Sequence, residues 1–200
     1  MGAFPVSLAG GIVLVALSRG PVRTAVALYA GSAALLFGVS AIYHRGNWSP
    51  RTLAILKRLD HANIFLIIAG TYTPFAARML HVGRGETLLW IVWFGALAGV
   101  AFRILWVGAP RWLYTPVYFA LGCVAVFYVP DILHVSGVPV VVLLTIGGLL
   151  YSAGGLVYAV QRPDPSPRWF GFHEVFHSFT LAAYAVHYVA VSLAVYGNWQ

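Results

Sequence analysis

The stretch that decides the fold is residues 138–160, VPVVVLLTIGGLLYSAGGLVYAV, which holds 23 residues and no charged side chain. An α-helix rises about 1.5 Å per residue, so a helix of this length extends about 35 Å. The hydrocarbon core of a bilayer is about 30 Å thick, and roughly 20 apolar residues cross it. The stretch therefore predicts a transmembrane helix.

The composition extends this prediction to the whole chain. Of its 200 residues, 60% are hydrophobic and 8% are charged, whereas about a quarter of the residues of a soluble domain are charged. The charged residues fall between long apolar runs, so we predict an all-α integral membrane protein with a single seven-helix transmembrane domain over residues 1–200. The predicted spans are Phe4–Leu17, Thr24–Tyr43, Leu59–Ala77, Thr87–Val107, Trp112–Pro130, Val138–Val160 and Val175–Tyr196. The first is short for a crossing.

The basic residues predict the orientation. Of the 12 Lys and Arg residues, eight follow or flank the ends of spans two, four and six, and four follow spans one, three and five. Basic loops stay in the cytoplasm, so we expect a cytoplasmic N-terminus and an external C-terminus. The net charge of +7 is explained by topology, and we predict no nucleic-acid partner. With Cys123 as the sole cysteine, no intrachain disulfide forms.

Polar side chains near the ends of the spans form three clusters. Ser40 and His44 end the second span, Asp60 begins the third, and His173 and His177 begin the seventh. The end of an even span and the start of an odd span lie at the same membrane face, so the three clusters are expected at one depth. Polar residues inside spans are costly and are usually functional.

This set of residues predicts a zinc site. Three imidazoles and a water complete the tetrahedral coordination of catalytic zinc. We predict His44, His173 and His177 as the ligands, and Asp60 and Ser40 as the candidate catalytic residues that hold the metal-bound water. Such a water has its pKa lowered toward about 7 and becomes a nucleophile. The predicted chemistry is hydrolysis of a lipid ester or amide.

Other interpretations of these residues stay open. Residues 173–177 read HEVFH and match the H-E-x-x-H signature of zinc proteases, but no Asp or Glu follows Glu174 to supply a later ligand. His61 points about 100° away from the aspartate before it, and His187 lies about 15 Å beyond His177, so neither is expected to bind the same ion. A bis-histidine haem needs histidines deeper in two spans. A hydrogen-bonded polar cluster without metal is the structural alternative.

Four motifs follow one another along spans two to seven. They are Ser40–His44 (SAIYH), Leu59–His61 (LDH), Ala69–Phe75 (AGTYTPF) and His173–His177, with His187 beyond. In this order they resemble the hemolysin III family, the bacterial branch of the progestin and adiponectin receptor (PAQR) superfamily. The chain departs from the family pattern at its N-terminus, where an acidic and histidine-containing stretch often precedes the first span.

The resemblance implies a seven-helix bundle with a zinc ion on its cytoplasmic side, held by His44, His173 and His177, with Asp60 and Ser40 around the metal-bound water. The family site is similar to that of alkaline ceramidases, which are zinc-dependent lipid amidases. The resemblance also implies a multi-pass protein of the bacterial cytoplasmic (inner) membrane, with membrane lipids as partners and a role in membrane-lipid homeostasis. The alternative is a lipid-responsive sensor or receptor with structural zinc and no turnover.

Overall fold

Most of the chain that the structure describes is helical. The computed structural model describes residues 2–79, 83–106 and 110–197, and these ranges contain seven α-helices and no β-strand. The all-α prediction is therefore confirmed. The helices group into two compact units, residues 1–109 and residues 110–200.

The first unit consists of four helices: α1 (Ala3–Leu17), α2 (Pro21–Arg45), α3 (Pro50–Arg78) and α4 (Gly85–Leu105). Both α2 and α3 begin with proline, which suits the first helical position because the N–H there has no partner within the helix. The Ser49 hydroxyl caps α3 by accepting a hydrogen bond from the N–H of Thr52 at 3.2 Å. Helices adjacent in sequence pack together, so α3 contacts both α2 and α4.

Small residues set the distances between these helices. A Cβ added at Gly70 of α3 would clash with the Ser32 hydroxyl of α2, and one added at Gly99 of α4 would clash with the Phe65 ring of α3. In membranes, glycines at such contacts let helix backbones approach closely. As a result, α3 is buried continuously over residues 69–76 and forms the centre of the unit.

The second unit consists of α5 (Arg111–Cys123), a short 3₁₀ helix (Val124–Tyr128), α6 (Val129–Val160) and α7 (Phe172–Tyr196). The helical backbone of α6 is interrupted at Gly137, where φ is 75° and ψ is 170°. Glycine adopts this conformation because it has no Cβ. The sequence predicts one span that ends at residue 130 and another that begins at residue 138. Gly137 lies between them, so the interruption occurs where the sequence predicts a boundary between two helices.

A histidine of α7 packs against a glycine of α6. A Cβ added at Gly147 of α6 would clash with the His187 ring of α7, and one added at Gly154 would lie 2.9 Å from the Cβ of Phe179. The Nε2 atom of His187 lies 3.3 Å from the carbonyl oxygen of Leu144 on α6. The buried imidazole therefore links α7 to α6.

The helices carry apolar side chains on their exposed faces as well as on their buried ones. On α4, Val92 and Ala96 are buried, whereas Leu97 and Phe94 are exposed, the latter to 76%. Large exposed apolar surfaces are rare on soluble monomers and mark contact with another apolar phase. The exterior of α4 is therefore suited to lipid.

Four helical segments of the described residues are long and apolar enough to cross a membrane: Pro21–Arg45, Gly85–Leu105, Leu113–Val160 and Phe172–Tyr196. With 48 residues, the third segment amounts to about 72 Å of helix, which exceeds twice the bilayer core. It therefore has the length for two crossings. The α1 helix is short, with 15 residues, as expected. The count of seven spans and the orientation stay predictions, and the predicted end at Val107 lies outside the described residues.

Replacing Gly147 by Ala is expected to destabilise the second unit, because the added Cβ would clash with the His187 ring. Overpacking of this kind costs about 1–3 kcal/mol. The matched control is Gly148→Ala, whose Cβ would meet nothing within 4 Å and which gains helix propensity. Thermal unfolding of the purified protein in detergent provides the measurement. Equal melting temperatures for the two variants would contradict the described packing of α6 on α7.

Candidate metal centre

The first turns of α7 bring two predicted ligands together. His173 and His177 lie one turn apart, and their Nε2 atoms are separated by 3.0 Å. Two nitrogen ligands of a tetrahedral zinc ion, each at 2.0–2.1 Å from the metal, are about 3.3 Å apart. The pair thus has nearly the separation that two zinc ligands require, and both side chains are half-buried.

Aromatic side chains surround this histidine pair. The ring of His173 lies 6.5 Å from that of Tyr158 on α6 and 6.2 Å from that of Phe176, measured between centroids. The ring of Phe176 also lies 5.3 Å from that of His177. These contacts restrict the rotamers of both imidazoles and give the pair an apolar wall. Tyr158 carries no signal in the sequence, because it is one of two tyrosines in the otherwise largely aliphatic stretch of residues 138–160.

Two carboxylates hold the end of α7 that carries the pair. Glu174 Oε2 accepts a hydrogen bond from the N–H of Gly171 at 2.9 Å, and Asp164 Oδ1 accepts one from the N–H of Phe172, also at 2.9 Å. A glutamate at the third helical position commonly caps a helix in this way. The residue that completes the protease-like signature therefore has a structural partner in its own helix. The sequence does indicate a capping role for Asp164, because this residue lies in a Pro-Asp-Pro-Ser-Pro loop shortly before α7.

The other predicted site residues lie in the first unit. Ser40 and His44 lie one turn apart on α2, and the Ser40 hydroxyl donates a hydrogen bond to the carboxylate of Asp60 on α3. His44 lies close to Asp60, and the centroid of its ring lies 4.5 Å from that of Tyr43. In the structure, Asp60 therefore lies beside both Ser40 and His44, the two residues of α2 that the sequence predicts for the site.

The two histidines that were not expected to be ligands have partners on backbone carbonyls. His61 Nδ1 lies 2.7 Å from the carbonyl oxygen of Lys57, and His187 Nε2 bonds to Leu144 of α6. Both side chains are buried. By contrast, each of His44, His173 and His177 offers a ring nitrogen as a metal ligand. As a ligand set for one ion, these three stay a prediction.

Replacing Glu174 by Ala is expected to weaken the start of α7, because the N–H of Gly171 loses its acceptor. The loss is about 0.5–1 kcal/mol, as for other helix caps. Glu174→Gln is the matched control, since its amide oxygen still accepts this hydrogen bond. We expect the Gln variant to melt like the original protein and the Ala variant to melt earlier. Equal loss in both variants would mean that the charge, rather than the cap, is what matters.

Comparison with known proteins agrees with the sequence motifs. Residues 1–188 match the family model described as Haemolysin-III related. The chain is 36% identical to the Hemolysin-3 homolog of Bacillus subtilis (strain 168), over 80% of this chain and 73% of that protein. It is 29% identical to Hemolysin-3 of Bacillus cereus, over 90% of this chain and 80% of that protein.

A more distant relative comes from an animal. Progestin and adipoQ receptor-like protein 1 of Caenorhabditis elegans is 24% identical over 85% of this chain and 43% of its own length. No solved structure matches the chain. With its apolar helices, the chain is a membrane protein, and the match over residues 1–188 together with the Bacillus relatives shows that it belongs to the haemolysin-III-related family.

Proposed function

We propose that this protein binds zinc and hydrolyses an amide or ester bond of a membrane lipid. The observation that carries the proposal is the separation of 3.0 Å between the Nε2 atoms of His173 and His177, which suits two ligands of one zinc ion. The proposed third ligand is His44. Bound zinc would lower the pKa of a water and so supply a nucleophile near neutral pH.

The chemistry of the donors supports zinc over the common alternatives. Imidazole nitrogens suit zinc and other late transition metals, whereas calcium and magnesium prefer oxygen ligands. Three neutral imidazoles leave the charge of the ion uncompensated, which favours a carboxylate nearby. Asp60, which lies close to His44, meets this need without being a ligand itself.

Asp60 and Ser40 supply the acid–base part of the proposed reaction. The Ser40 hydroxyl donates to the Asp60 carboxylate and so fixes the orientation of its oxygens. A carboxylate held in this way takes a proton from the attacking water as a general base and returns it to the leaving group as a general acid. Ser40 is a positioning residue in this scheme, because it acts through Asp60.

The surroundings of the histidine pair support a lipid as the substrate. The rings of Tyr158 and Phe176 lie within 6.5 Å of His173, so the pair lies against an apolar wall. The exposed faces of the helices are apolar as well. A lipid amide or ester has the apolar chain that these surfaces fit, and its turnover would serve membrane-lipid homeostasis. By its Bacillus relatives, the proposed location is the bacterial cytoplasmic membrane.

The zinc proposal predicts about one zinc ion per chain in the purified protein, measured by elemental analysis. His173→Ala, His177→Ala and His44→Ala should each lose most of that zinc, because two remaining imidazoles bind the ion far more weakly. The matched control is His134→Ala, which changes an exposed histidine of α6 outside the proposed ligand set. Zinc content that is equal in all four variants would refute the ligand assignment.

Asp60→Asn tests turnover separately from binding. The variant should keep its zinc and its fold but lose hydrolysis of lipid amides and esters by about 100-fold or more, because the amide is no longer a base. A screen of such lipids with zinc-loaded protein provides the measurement. The same variant should fail to restore the lipid profile of a strain that lacks the gene. If the original protein binds zinc but turns over none of these lipids, the sensor with structural zinc becomes the better account.

A further inference from the structure

The first unit has an apolar groove along α2 that the proposed hydrolysis does not use. The groove has a volume of about 690 Å³, and its walls come from Phe4 of α1, Leu66 of α3, Trp93 of α4 and the exposed face of α2. The indole N–H of Trp93 donates to the Thr73 hydroxyl at 3.0 Å, so this wall is fixed in place. We call this cavity the α2 groove.

The α2 groove continues toward the end of α2. A second cavity of about 420 Å³ shares Phe4, Gly38 and Ile42 with it and extends to Arg45 and Trp48. The two cavities therefore form one path that is apolar along most of its length and ends at a cation. The indole N–H of Trp48 donates to the carbonyl of Ile42 at 3.0 Å, which places an amphipathic ring at this end, as at many membrane interfaces.

The path is long enough to hold an acyl chain. From Leu28 to Arg45 it follows α2 for about 26 Å, which is more than the roughly 15 Å that one leaflet contributes to the hydrocarbon core. The large side chains that line it are exposed, with Leu28, Leu35 and Ile42 at 46%, 51% and 50%. They recur every seven residues, and so lie on one face of the helix. An acyl chain laid along them would cover apolar surface over its whole length.

The charge at the end of the path selects the headgroup. Arg45, Arg51 and Lys57 are exposed, and residues 45–59 contain no acidic residue. Each basic residue near a membrane surface attracts anionic lipid. We propose that the α2 groove binds an anionic glycerophospholipid, with one acyl chain along α2 between Leu28 and Ile42 and the phosphate at Arg45.

This lipid site is separate from the proposed metal centre. Ser40 lies two residues after Gly38, and His44 lies two residues after Ile42; both Gly38 and Ile42 line the groove. Two residues along a helix correspond to a rotation of about 200° around its axis. Ser40 and His44 therefore occupy the opposite side of α2. Occupancy of the groove holds α1, α3 and α4 against α2 from outside, and it neither requires zinc nor consumes the lipid.

Blocking the groove tests the proposal. A Cβ at Gly31 would meet nothing within 4 Å, so Gly31→Trp fills the groove without displacing backbone. Native mass spectrometry of the full-length protein in detergent, with phosphatidylglycerol as the probe, measures lipid adducts directly. We expect binding at least about tenfold weaker in this variant. The matched control is Gly155→Trp on α6, whose Cβ also meets nothing within 4 Å and which should bind like the original protein.

The headgroup requires a second comparison. The original protein should prefer phosphatidylglycerol over phosphatidylcholine of the same acyl chains by about fivefold, and Arg45→Gln should remove most of that preference. This measurement on the original protein does not depend on whether any variant folds. Equal binding of the two lipids would overturn the proposal, as would unchanged binding in Gly31→Trp. The proposal would also be overturned if the protein were a dimer that Gly31→Trp dissociates without changing the lipid adducts. The groove would then be the contact surface for a second copy of the chain.

Discussion

The rest of this structure depends on the need to satisfy every backbone hydrogen bond away from water. In hydrocarbon only helices and closed barrels achieve this, and the chain forms helices over nearly all of its described residues. Hydroxyl side chains obey the same constraint. Most of those whose bonds are seen donate to a carbonyl of their own helix, three or four residues earlier: Ser7, Ser18, Ser32, Thr71, Thr73, Thr145, Ser152, Ser178, Thr180 and Ser192.

Ser40 has a hydrogen-bond partner on another helix. Its hydroxyl donates to the carboxylate of Asp60 on α3. A carboxylate in a membrane helix is costly unless it has partners, so the pair is mutually dependent. Close approach of α2 and α3 at Gly70 and Ser32 makes such a bond geometrically available. Packing by small residues and the chemistry of the candidate site are therefore linked in this unit.

The pentad His173–His177 illustrates how one motif carries two functions. Its histidines present nitrogens at 3.0 Å, whereas its glutamate caps the helix that carries them. A protease interpretation takes the glutamate as the base, whereas in this structure it accepts a hydrogen bond from the N–H of Gly171. The cap stabilises the first turn of α7, and the first turn holds the histidine pair in position. The glutamate thus supports the pair through the helix that carries it.

The sequence by itself determined what depends on neighbours along the chain. Apolar runs of membrane-crossing length specify the helices, and a spacing of four specifies that His173 and His177 share a face, because helical periodicity is a local property. The break at Gly137 also follows from local chemistry, since glycine adopts φ 75° readily. The ring of His61 likewise bonds within its own helix, to Lys57 in the preceding turn.

Only the tertiary structure decided which distant residues meet. The bond between Ser40 and Asp60, the link from His187 to Leu144, and the α2 groove each join residues from different helices. Periodicity places such side chains on a face but does not say what that face contacts. Which residues meet depends on how the helices pack, and glycines at the contacts allow a neighbouring helix to approach closely. No single segment of the sequence contains that information.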